Sequence, residues 1–506
     1  MEVNQVQNLE DCLFHTGWGL YYKFIVGLAC ICHFVYGLSF LTMAYAVALS
    51  TCSDVVIPRN YTLRIFSAFL IGCALGGLVT GPLADCYGRK RFLMYSFIAL
   101  FLTTFTAAFT YNVFIIIGVS FFMGVGLETN ATQMKLLTIE VLGKQRRGFW
   151  MFFCDFFQVF GYSTVTFLIV LMETATLLNW NHSNFIKPPT WRTMFAVSGG
   201  ASLILACASG LLEESPRYYL YLGRNYLAFL LIKQLFAINN SNFADNFMIK
   251  EEELVGLIKN FDLRYEEPTL YWQKIKKCLW RFWKSVKLMC SNHYFKNCWL
   301  LTLLKAPLIA ISVFQLNVLL AKLLIYDQSV IEKKFNGLQL IFPIFDRNGT
   351  FNSICETNQQ TKVFYTNLIV LSSVMMIGPI LGMLVIDYIG RKLLAFSSLL
   401  IASASFLLMA FLNDVVIQTI IACCIVIHIT ITYSVISLVN LELFPTAFRA
   451  TSAEITNIPG YILALFVVNF FETESKLLLI IMGLSYCCLS IFTCFLPETK
   501  NRPLEE

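Results

Sequence analysis

The segment Gly81-Pro82-Leu83-Ala84-Asp85-Cys86-Tyr87-Gly88-Arg89-Lys90 is the starting point for the architecture, because much of it occurs again as Gly382-Met383-Leu384-Val385-Ile386-Asp387-Tyr388-Ile389-Gly390-Arg391-Lys392. A second charged motif repeats at the same shift of 302 positions, so that the matching pairs include Asp85 and Asp387, Arg89 and Arg391, Glu140 and Glu442, and Arg147 and Arg449. Two charged motifs in one register indicate a duplicated unit. Because both motifs interrupt long apolar runs, we expect them to lie where helices leave a membrane.

Composition assigns the chain to the membrane proteins. Of its 506 residues, 57% are hydrophobic and 13% are charged, and the mean hydropathy is +0.67. A chain this apolar cannot hide its surface from water in compact domains, so the composition excludes a soluble protein. The net charge of +6 then relates to topology and to anionic lipid, and we expect no nucleic-acid partner.

Twelve apolar segments are long enough for membrane-spanning helices, which need about 20 residues each. Their predicted bounds are 24–50, 62–84, 91–110, 113–137, 149–171, 191–212, 298–325, 363–386, 393–412, 415–439, 450–471 and 476–496. The predicted fold is therefore an all-α membrane protein with twelve transmembrane helices in two pseudo-symmetric six-helix bundles. The predicted domains are an N-terminal bundle (1–212), a cytoplasmic linker with amphipathic helices (213–297) and a C-terminal bundle (298–506).

Charge distribution and glycosylation sequons predict the orientation. Lys and Arg are more numerous in the segments on the side of the termini, which places both termini in the cytoplasm. The resident membrane would be the plasma membrane or an intracellular vesicle. Three asparagines in predicted outer loops are candidate glycosylation sites: Asn60, Asn181 and Asn348. Cys52 and Cys355 also fall on the outer side, and whether they pair stays open.

The polar stretch between the bundles is predicted to contain amphipathic helices. Residues 217–238 follow Pro216, and residues 245–259 carry three consecutive glutamates. Residues 271–287 combine tryptophan with lysine and arginine, a composition typical of a helix that lies at the inner headgroup surface. We therefore expect this last segment to contact membrane lipid.

The repeated motif has the chemistry of a latch between helices. A carboxylate such as Asp85 is favoured at a helix N-terminus, and Arg89 can form a forked pair with a carboxylate such as Glu140 across a helix interface. The second copy predicts the same contacts with Asp387, Arg391 and Glu442. The predicted cytoplasmic gate also includes Gly88, Arg147, Glu214, Arg217, Gly390, Arg449 and Glu454.

With these motifs the chain resembles the major facilitator superfamily over nearly its whole length. Glu214-Ser215-Pro216-Arg217 and Pro497-Glu498-Thr499-Lys500 look like the paired motifs of its sugar porters and organic-ion transporters. Thr190-Trp191-Arg192 and Leu230-Leu231-Ile232-Lys233-Gln234 resemble most the synaptic vesicle glycoprotein 2 group, as do a short first loop and a long loop after the seventh helix. The acidic residues typical of that group's first helix are missing, and His33 and Tyr36 stand in that region.

The resemblance implies a substrate site near the middle of the membrane, between the bundles. An ionisable group at that depth costs roughly 2.5–3.5 kcal/mol, so Glu128 is the leading candidate. It is either a proton-coupling or cation-binding carboxylate, or a neutral or paired group that braces helix packing. Lys135 and Asp155 are interpreted as a structural ion pair. Lys305 either meets an anionic substrate or extends to the inner surface.

Further candidates are polar residues on helices expected to line the site. Asp155, Gln158 and Tyr162 share one helical face by their i, i+3, i+7 spacing. His33 and His428 either serve the site or are hydrogen-bonded packing residues. The remaining candidates for substrate binding or coupling are Tyr36, Asn130, Gln133, Gln315, Asn317, Asn367, Asn457 and Tyr461.

The predicted function is that of a monomeric solute carrier in which two bundles move about a small organic solute. The coupling ion stays open: a proton, another cation or none. The alternative is a regulatory or receptor-like vesicle membrane protein on a transporter fold. No nucleophile–base set, catalytic carboxylate pair or phosphate-binding loop stands out, so we expect neither enzymatic activity nor a cofactor or metal.

Overall fold

The structure is a computed structural model that describes residues 9–49, 59–143, 146–177, 190–240, 271–325, 369, 372–412, 415–470 and 476–504. Helices and their connecting turns account for these residues. In chain order the helices are α1 (Leu9–His15), α2 (Leu20–Leu49), α3 (Arg59–Tyr87), α4 (Arg89–Phe109), α5 (Val113–Val141), α6 (Arg147–Leu177), α7 (Thr190–Ser209), α8 (Pro216–Tyr221), α9 (Asn225–Asn240), α10 (Tyr271–Met289), α11 (Asn292–Ile325), α12 (Ile377–Ile389), α13 (Arg391–Phe411), α14 (Val415–Leu443), α15 (Arg449–Ile455), α16 (Ile458–Phe470) and α17 (Lys476–Thr493).

Two large apolar cores organise the helices. The first is built mainly from α2 to α7 and contains Phe97 and Trp191. The second is built mainly from α11 to α17 and contains Phe406 and Tyr486. Each core takes in a few side chains of the other set of helices, so the N-terminal and C-terminal sets pack against each other along one interface. We refer to these sets as the N-terminal and C-terminal halves.

Ten helices in the described ranges are long and apolar enough to cross a membrane. A shorter apolar stretch, Leu479–Thr493, lies in α17, and α15 with α16 occupies the predicted eleventh segment. Large apolar side chains such as Phe105, Phe114 and Phe167 are exposed on the outside of the bundle, as contact with lipid requires. The all-α membrane fold predicted from the sequence is confirmed.

The eleventh predicted span, 450–471, is wrong in one respect, because its helix is interrupted. α15 ends at Ile455 and α16 begins at Ile458. Pro459 accounts for the break, since proline has no N–H to donate and disfavours helical conformation in the residue before it. Within a membrane such a break is tolerated where it is buried in protein or lines a cavity. This one is buried, and it presents the side chain of Asn457 to the interior.

The segment between the halves also differs from its prediction. The helix predicted over 217–238 is two helices, α8 and α9, separated by Gly223, whose φ of +72° ends the first of them. Helix α10 matches the predicted segment 271–287. The helix predicted over 245–259 lies outside the described residues, as do Cys52, Cys355, Asn181 and Asn348. Asn60 falls in the first turn of α3, and its side chain is not among those described.

Candidate substrate site and gate

Both copies of the repeated motif lie at the same face of the bundle, which we call the motif face. There the fully buried guanidinium of Arg89 contacts the carboxylate of Glu140 within the N-terminal half. Glu140 also binds Arg449 of the C-terminal half, with 2.6 Å between Oε1 and Nη1. Arg89 crosses the interface in turn and donates from Nη2 to the carbonyl oxygen of Thr446 at 3.1 Å. These charge-assisted contacts hold the two halves together.

The two repeated aspartates make a matching pair of contacts across the interface. Asp85 accepts from the backbone N–H of Ala450 at 3.3 Å and of Thr451 at 2.8 Å, both in the first turn of α15. Asp387 accepts from the backbone N–H of Phe149 at 2.9 Å, in the first turn of α6. Each aspartate therefore satisfies N–H groups that a helix N-terminus leaves without an internal partner.

Glu442 is the counterpart of Glu140 in the C-terminal half. It binds Arg391 through both of its oxygens at 3.3 Å and accepts from the hydroxyl of Thr499 at 2.5 Å. Nη1 of Arg147, in the N-terminal half, lies 3.6 Å from Oε1 of Glu442. The motif face is therefore closed by two related networks that share contacts across the interface.

Glu10 also lies at the motif face, although it belongs to no motif identified in the sequence. The residue belongs to α1, which packs on α8 and α9 through a small apolar cluster. Its buried Oε1 accepts from Nη2 of Arg147 at 2.7 Å, from Nη2 of Arg217 at 3.1 Å and from the backbone N–H of Leu504 at 2.8 Å. One carboxylate oxygen thus connects α1, the N-terminal half and the segment after α17.

Two glutamates outside the membrane-spanning helices bind the backbone at the glycine turn of each motif copy. Gly88 and Gly390 have φ of +103° and +97°, conformations that favour glycine. Glu214 accepts from the backbone N–H of Lys90 after the first, and Glu498 accepts from those of Arg391 and Lys392 after the second. Burial raises the pKa of Glu214, with Arg89 acting against it. Burial also tends to raise the pKa of Glu498, which is less enclosed. The backbone N–H groups that donate to Glu498 outweigh this effect and lower its pKa.

A cavity of about 80 Å³ lies between the halves, away from the motif face. Five aromatic residues contribute to its wall: Tyr36, Phe40, Tyr162, Tyr433 and Tyr461. A second cavity of about 30 Å³ is lined by charged groups that include Glu128, Lys135 and Lys305. Tyr36, Gln158 and Tyr433 line both. Volumes of this size hold a few water molecules, so the space between the halves is contracted in this structure.

Glu128 binds residues of the opposite half at the interrupted helix. Its Oε1 accepts from Nδ2 of Asn457 at 2.8 Å, and its Oε2 accepts from the hydroxyl of Tyr461. Asn457 in turn accepts at Oδ1 from Nζ of Lys305, 2.9 Å away. The break at Pro459 therefore places one amide between a buried carboxylate and a buried ammonium group. Lys305 is 3% exposed, so the predicted alternative that it extends to the membrane surface is wrong.

A second buried pair lies beside the first. Nζ of Lys135 is 2.7 Å from Oδ1 of Asp155, the ion pair interpreted from the sequence. Gln158, one turn along α6, donates to the hydroxyl of Tyr162 at 3.1 Å. Asp155, Gln158 and Tyr162 all line the aromatic cavity, so the polar face of α6 is turned toward the opposite half.

Comparison with known proteins decides the family. A model of the major facilitator superfamily matches residues 29–468. The chain belongs to this superfamily. Among curated relatives, Organic cation/carnitine transporter 3 of Arabidopsis thaliana is 28% identical over 171 residues, which cover 33% of this chain and 30% of that protein. The Beta-alanine transporter of Drosophila melanogaster is 21% identical over 460 residues, or 90% of this chain and 64% of that protein. The chain thus spans about a third of the length of the first relative.

Solved structures establish the superfamily fold. A proton:xylose symporter, XylE, bound to a glucose derivative is similar with a TM-score of 0.62 at 17% identity, covering 96% of this chain and 98% of that one. A partially occluded inward-open form of XylE from E. coli gives a TM-score of 0.60 at 16% identity, covering 96% and 100%. At such low identity the likeness concerns the fold alone.

Several candidate site residues predicted from the sequence lie away from the two cavities between the halves. Oδ1 of Asn130 accepts from Ser96 within the N-terminal half, at 3.4 Å, and Gln133 is fully buried. Neither lines the two cavities described above, because residues two and five positions after Glu128 are turned about 200° and 140° away from it on a helix. Thr132 and Lys135, at i+4 and i+7, do share its cavity.

The histidines do not line either cavity. His33 is 1% exposed and bonds through Nδ1 to the carbonyl oxygen of Ala29 at 2.7 Å, as its packing interpretation required. His428 is half-buried in α14. The side chains of Gln315, Asn317 and Asn367 lie outside the described residues. Tyr433, which lines both cavities, was missed because a tyrosine in an apolar helix gives no distinct signal in the sequence.

Proposed function

We propose that this chain is a transmembrane transporter that moves a small organic solute by alternating access. The observation that carries the proposal is the space lined by both halves and closed at the motif face by contacts between them. Separation of these contacts would open the space to one side of the membrane. The transport activities for which the relatives are named support the same class of function.

The lining favours a solute with both an apolar part and a charged group. Aromatic rings such as Tyr36, Tyr162 and Tyr433 offer apolar contact, and they attract cations to their faces. Glu128 and Lys305 offer one charge of each sign next to them. The substrates for which these relatives are named, organic cations, carnitine and β-alanine, all carry a charged group. A proton or another cation would be the coupling ion.

Uptake into vesicles tests this proposal. The purified full chain, reconstituted in lipid vesicles, should take up at least one class of labelled solute from a panel of organic cations, organic anions, zwitterions and sugars. Ser312→Trp should abolish that uptake, because Ser312 lines the contracted cavity and an indole would fill it. Ser373→Trp is the matched control, since Ser373 is exposed. Absence of uptake across the panel by well-folded protein would overturn the proposal.

We also propose that the motif face is cytoplasmic. The chain acts as a monomer with units 1–212, 213–297 and 298–506. Helix α10 lies on the lipid surface. The exposed Trp280 and Trp283 of α10, with Lys284 beside the ring of Trp280, support the last point. A membrane-impermeant maleimide tests the orientation at the exposed Cys290, which follows α10. The part of the labelling that Cys290→Ser removes is expected only after permeabilisation of cells, and its presence in intact cells would contradict this orientation.

Within the superfamily we propose kinship with the synaptic vesicle glycoprotein 2 group. The segment Thr190-Trp191-Arg192 supports it, and its arginine has a defined place in the fold. Arg192 donates from Nη1 to the carbonyl oxygen of Ala108 at 2.7 Å and lies 4.1 Å from the ring of Tyr111. Arg192→Lys should lower the melting temperature, because lysine cannot reproduce both contacts. An unchanged melting temperature would show that these two contacts do not stabilise the fold.

A further inference from the structure

Glu454 lies deeper than the gate to which the sequence assigned it. It is fully buried in α15, and its carboxyl group fits against two glycines of α3 in the opposite half. A Cβ atom at Gly77 would lie 2.7 Å from Oε2 of Glu454, and one at Gly81 would lie 3.0 Å from its Cγ. The two glycines, one helical turn apart, make the space that this side chain occupies. The assignment of Glu454 to the gate is therefore wrong.

Among the described residues, neither carboxyl oxygen of Glu454 has a hydrogen-bond partner at good geometry. Glu128 differs, because each of its oxygens accepts a hydrogen bond from the opposite half. The hydroxyl of Thr132 is the one donor that adjoins Glu454 among the described residues, and an ionised carboxylate taken out of water with so little hydrogen bonding is strongly unfavourable. The environment of Glu454 therefore suits the neutral acid.

The titratable groups around Glu454 come from each helix packed on it. Glu128 on α5 is its immediate neighbour, together with the hydroxyl of Thr132. Lys305 on α11 is the nearest cation, and Cys73 on α3 and Tyr433 on α14 complete the surroundings. The carboxyl of Glu454 thus faces a second carboxyl more closely than it faces a base.

The charges of this region leave one carboxyl without compensation. Among the described residues, its carboxyl groups are those of Glu128, Asp155 and Glu454, and its ammonium groups are those of Lys135 and Lys305. Lys135 is paired with Asp155 at 2.7 Å. Lys305 is bridged to Glu128 by Asn457. The third carboxyl, Glu454, needs either a proton or an external cation.

We propose that Glu454 is a proton-binding residue, which holds one proton while the motif face is closed. Its O–H group can then donate to the neighbouring Glu128. Release in the transport cycle rests on the proposed function: when α3 and α15 separate, water entering from the motif face accepts the proton as the O–H bond breaks, and Glu454 becomes a carboxylate. The site is built from both halves, so binding of the proton and closure of the interface favour each other.

Infrared spectroscopy of the purified full chain tests the proton directly. At pH 7 the wild type should show the carbonyl-stretch band of a buried carboxylic acid, shifted in deuterated water. Glu454→Gln should lose this band, Glu454→Asp should keep one, and Glu128→Gln should keep it at a changed frequency because the hydrogen-bond partner changes. Melting temperatures establish that each variant is folded.

An unchanged band in folded Glu454→Gln protein would overturn the proposal, and so would a wild type without the band. Uptake measured in the same preparations separates this result from the function. A band that depends on Glu454, with no uptake of any solute, would support the proton site and contradict transport. Uptake in a protein that lacks the band would support transport and contradict the proton site.

Discussion

Replacing Glu140 by glutamine is expected to lower the free energy of unfolding by about 3–5 kcal/mol, the cost of removing one partner from a buried ion pair. Arg89 and Arg449 are both fully buried and both bind this carboxylate, one from each half. Without it, two guanidinium groups would face each other in a dry environment. Chemical unfolding of the detergent-purified chain, followed by tryptophan fluorescence, measures the change.

Glu213→Gln is the matched control, because it makes the same chemical change at an exposed position. We expect a change below about 0.5 kcal/mol for it, as is usual for surface substitutions. The Glu140 variant should also open the motif face more readily, since Glu140 binds both halves. An unfolding free energy equal to that of the control would show that the ion pairs of Glu140 contribute nothing to the stability of the closed structure.

Lys305→Met is expected to reduce uptake by roughly 10- to 100-fold. The substitution keeps an unbranched side chain, one atom shorter, but leaves Glu128 without its bridged cation, and coupling energies between such neighbours reach about 3 kcal/mol. Each 1.4 kcal/mol corresponds to about a tenfold change. Initial uptake rates of the solute found in the vesicle screen provide the measurement.

The double variant Lys305→Met with Glu128→Gln separates structure from function. Because both charges are then removed, its unfolding free energy should return toward the wild-type value, whereas its uptake should stay low. Lys287→Met, at an exposed position of α10, is the control for the loss of one lysine. Independent, additive effects of Lys305 and Glu128 on stability would contradict the bridge through Asn457.

The repeated motif and the twelve apolar segments together predicted the fold, since two copies in one register imply two equivalent units and the apolar segments supply their helices. It also led to contacts that the structure contains, such as Arg89 with Glu140 and Asp85 with a helix N-terminus. These predictions succeeded because they concern residues at helix ends. There the depth of a residue in the membrane largely determines which groups it can meet.

The contacts in the interior were harder to predict, because the depth of a residue in the membrane does not tell which neighbouring helix its side chain faces. Asn130 and Gln133 lie about 3 Å and about 7.5 Å along α5 from Glu128, but the helical rotation of about 100° per residue turns them into the N-terminal half. The break at Pro459 had a second effect. It gave Asn457 an orientation that a continuous helix would not have. Glu454 precedes the break and shares α15 with Arg449, and its contact with α3 follows from tertiary packing alone.

Glu10 shows a different limit of sequence reasoning. Its partners Arg147, Arg217 and Leu504 are scattered over the chain, and nothing in the polar surroundings of residue 10 distinguishes this glutamate from a solvated one. Only the docking of α1 on α8 and α9 brings the carboxylate to the two arginines. Such a contact is a property of the tertiary structure.

The position of Glu10 has a practical consequence. The oxygen that holds Leu504 also holds Arg147, whose guanidinium reaches across to Glu442 in the other half. Fluorescent labels placed next to residues 10 and 504 would therefore sit side by side while the arginine is held, and energy transfer between them would fall when it is released. The conformational cycle could be followed in real time with no dye attached to any helix that crosses the bilayer.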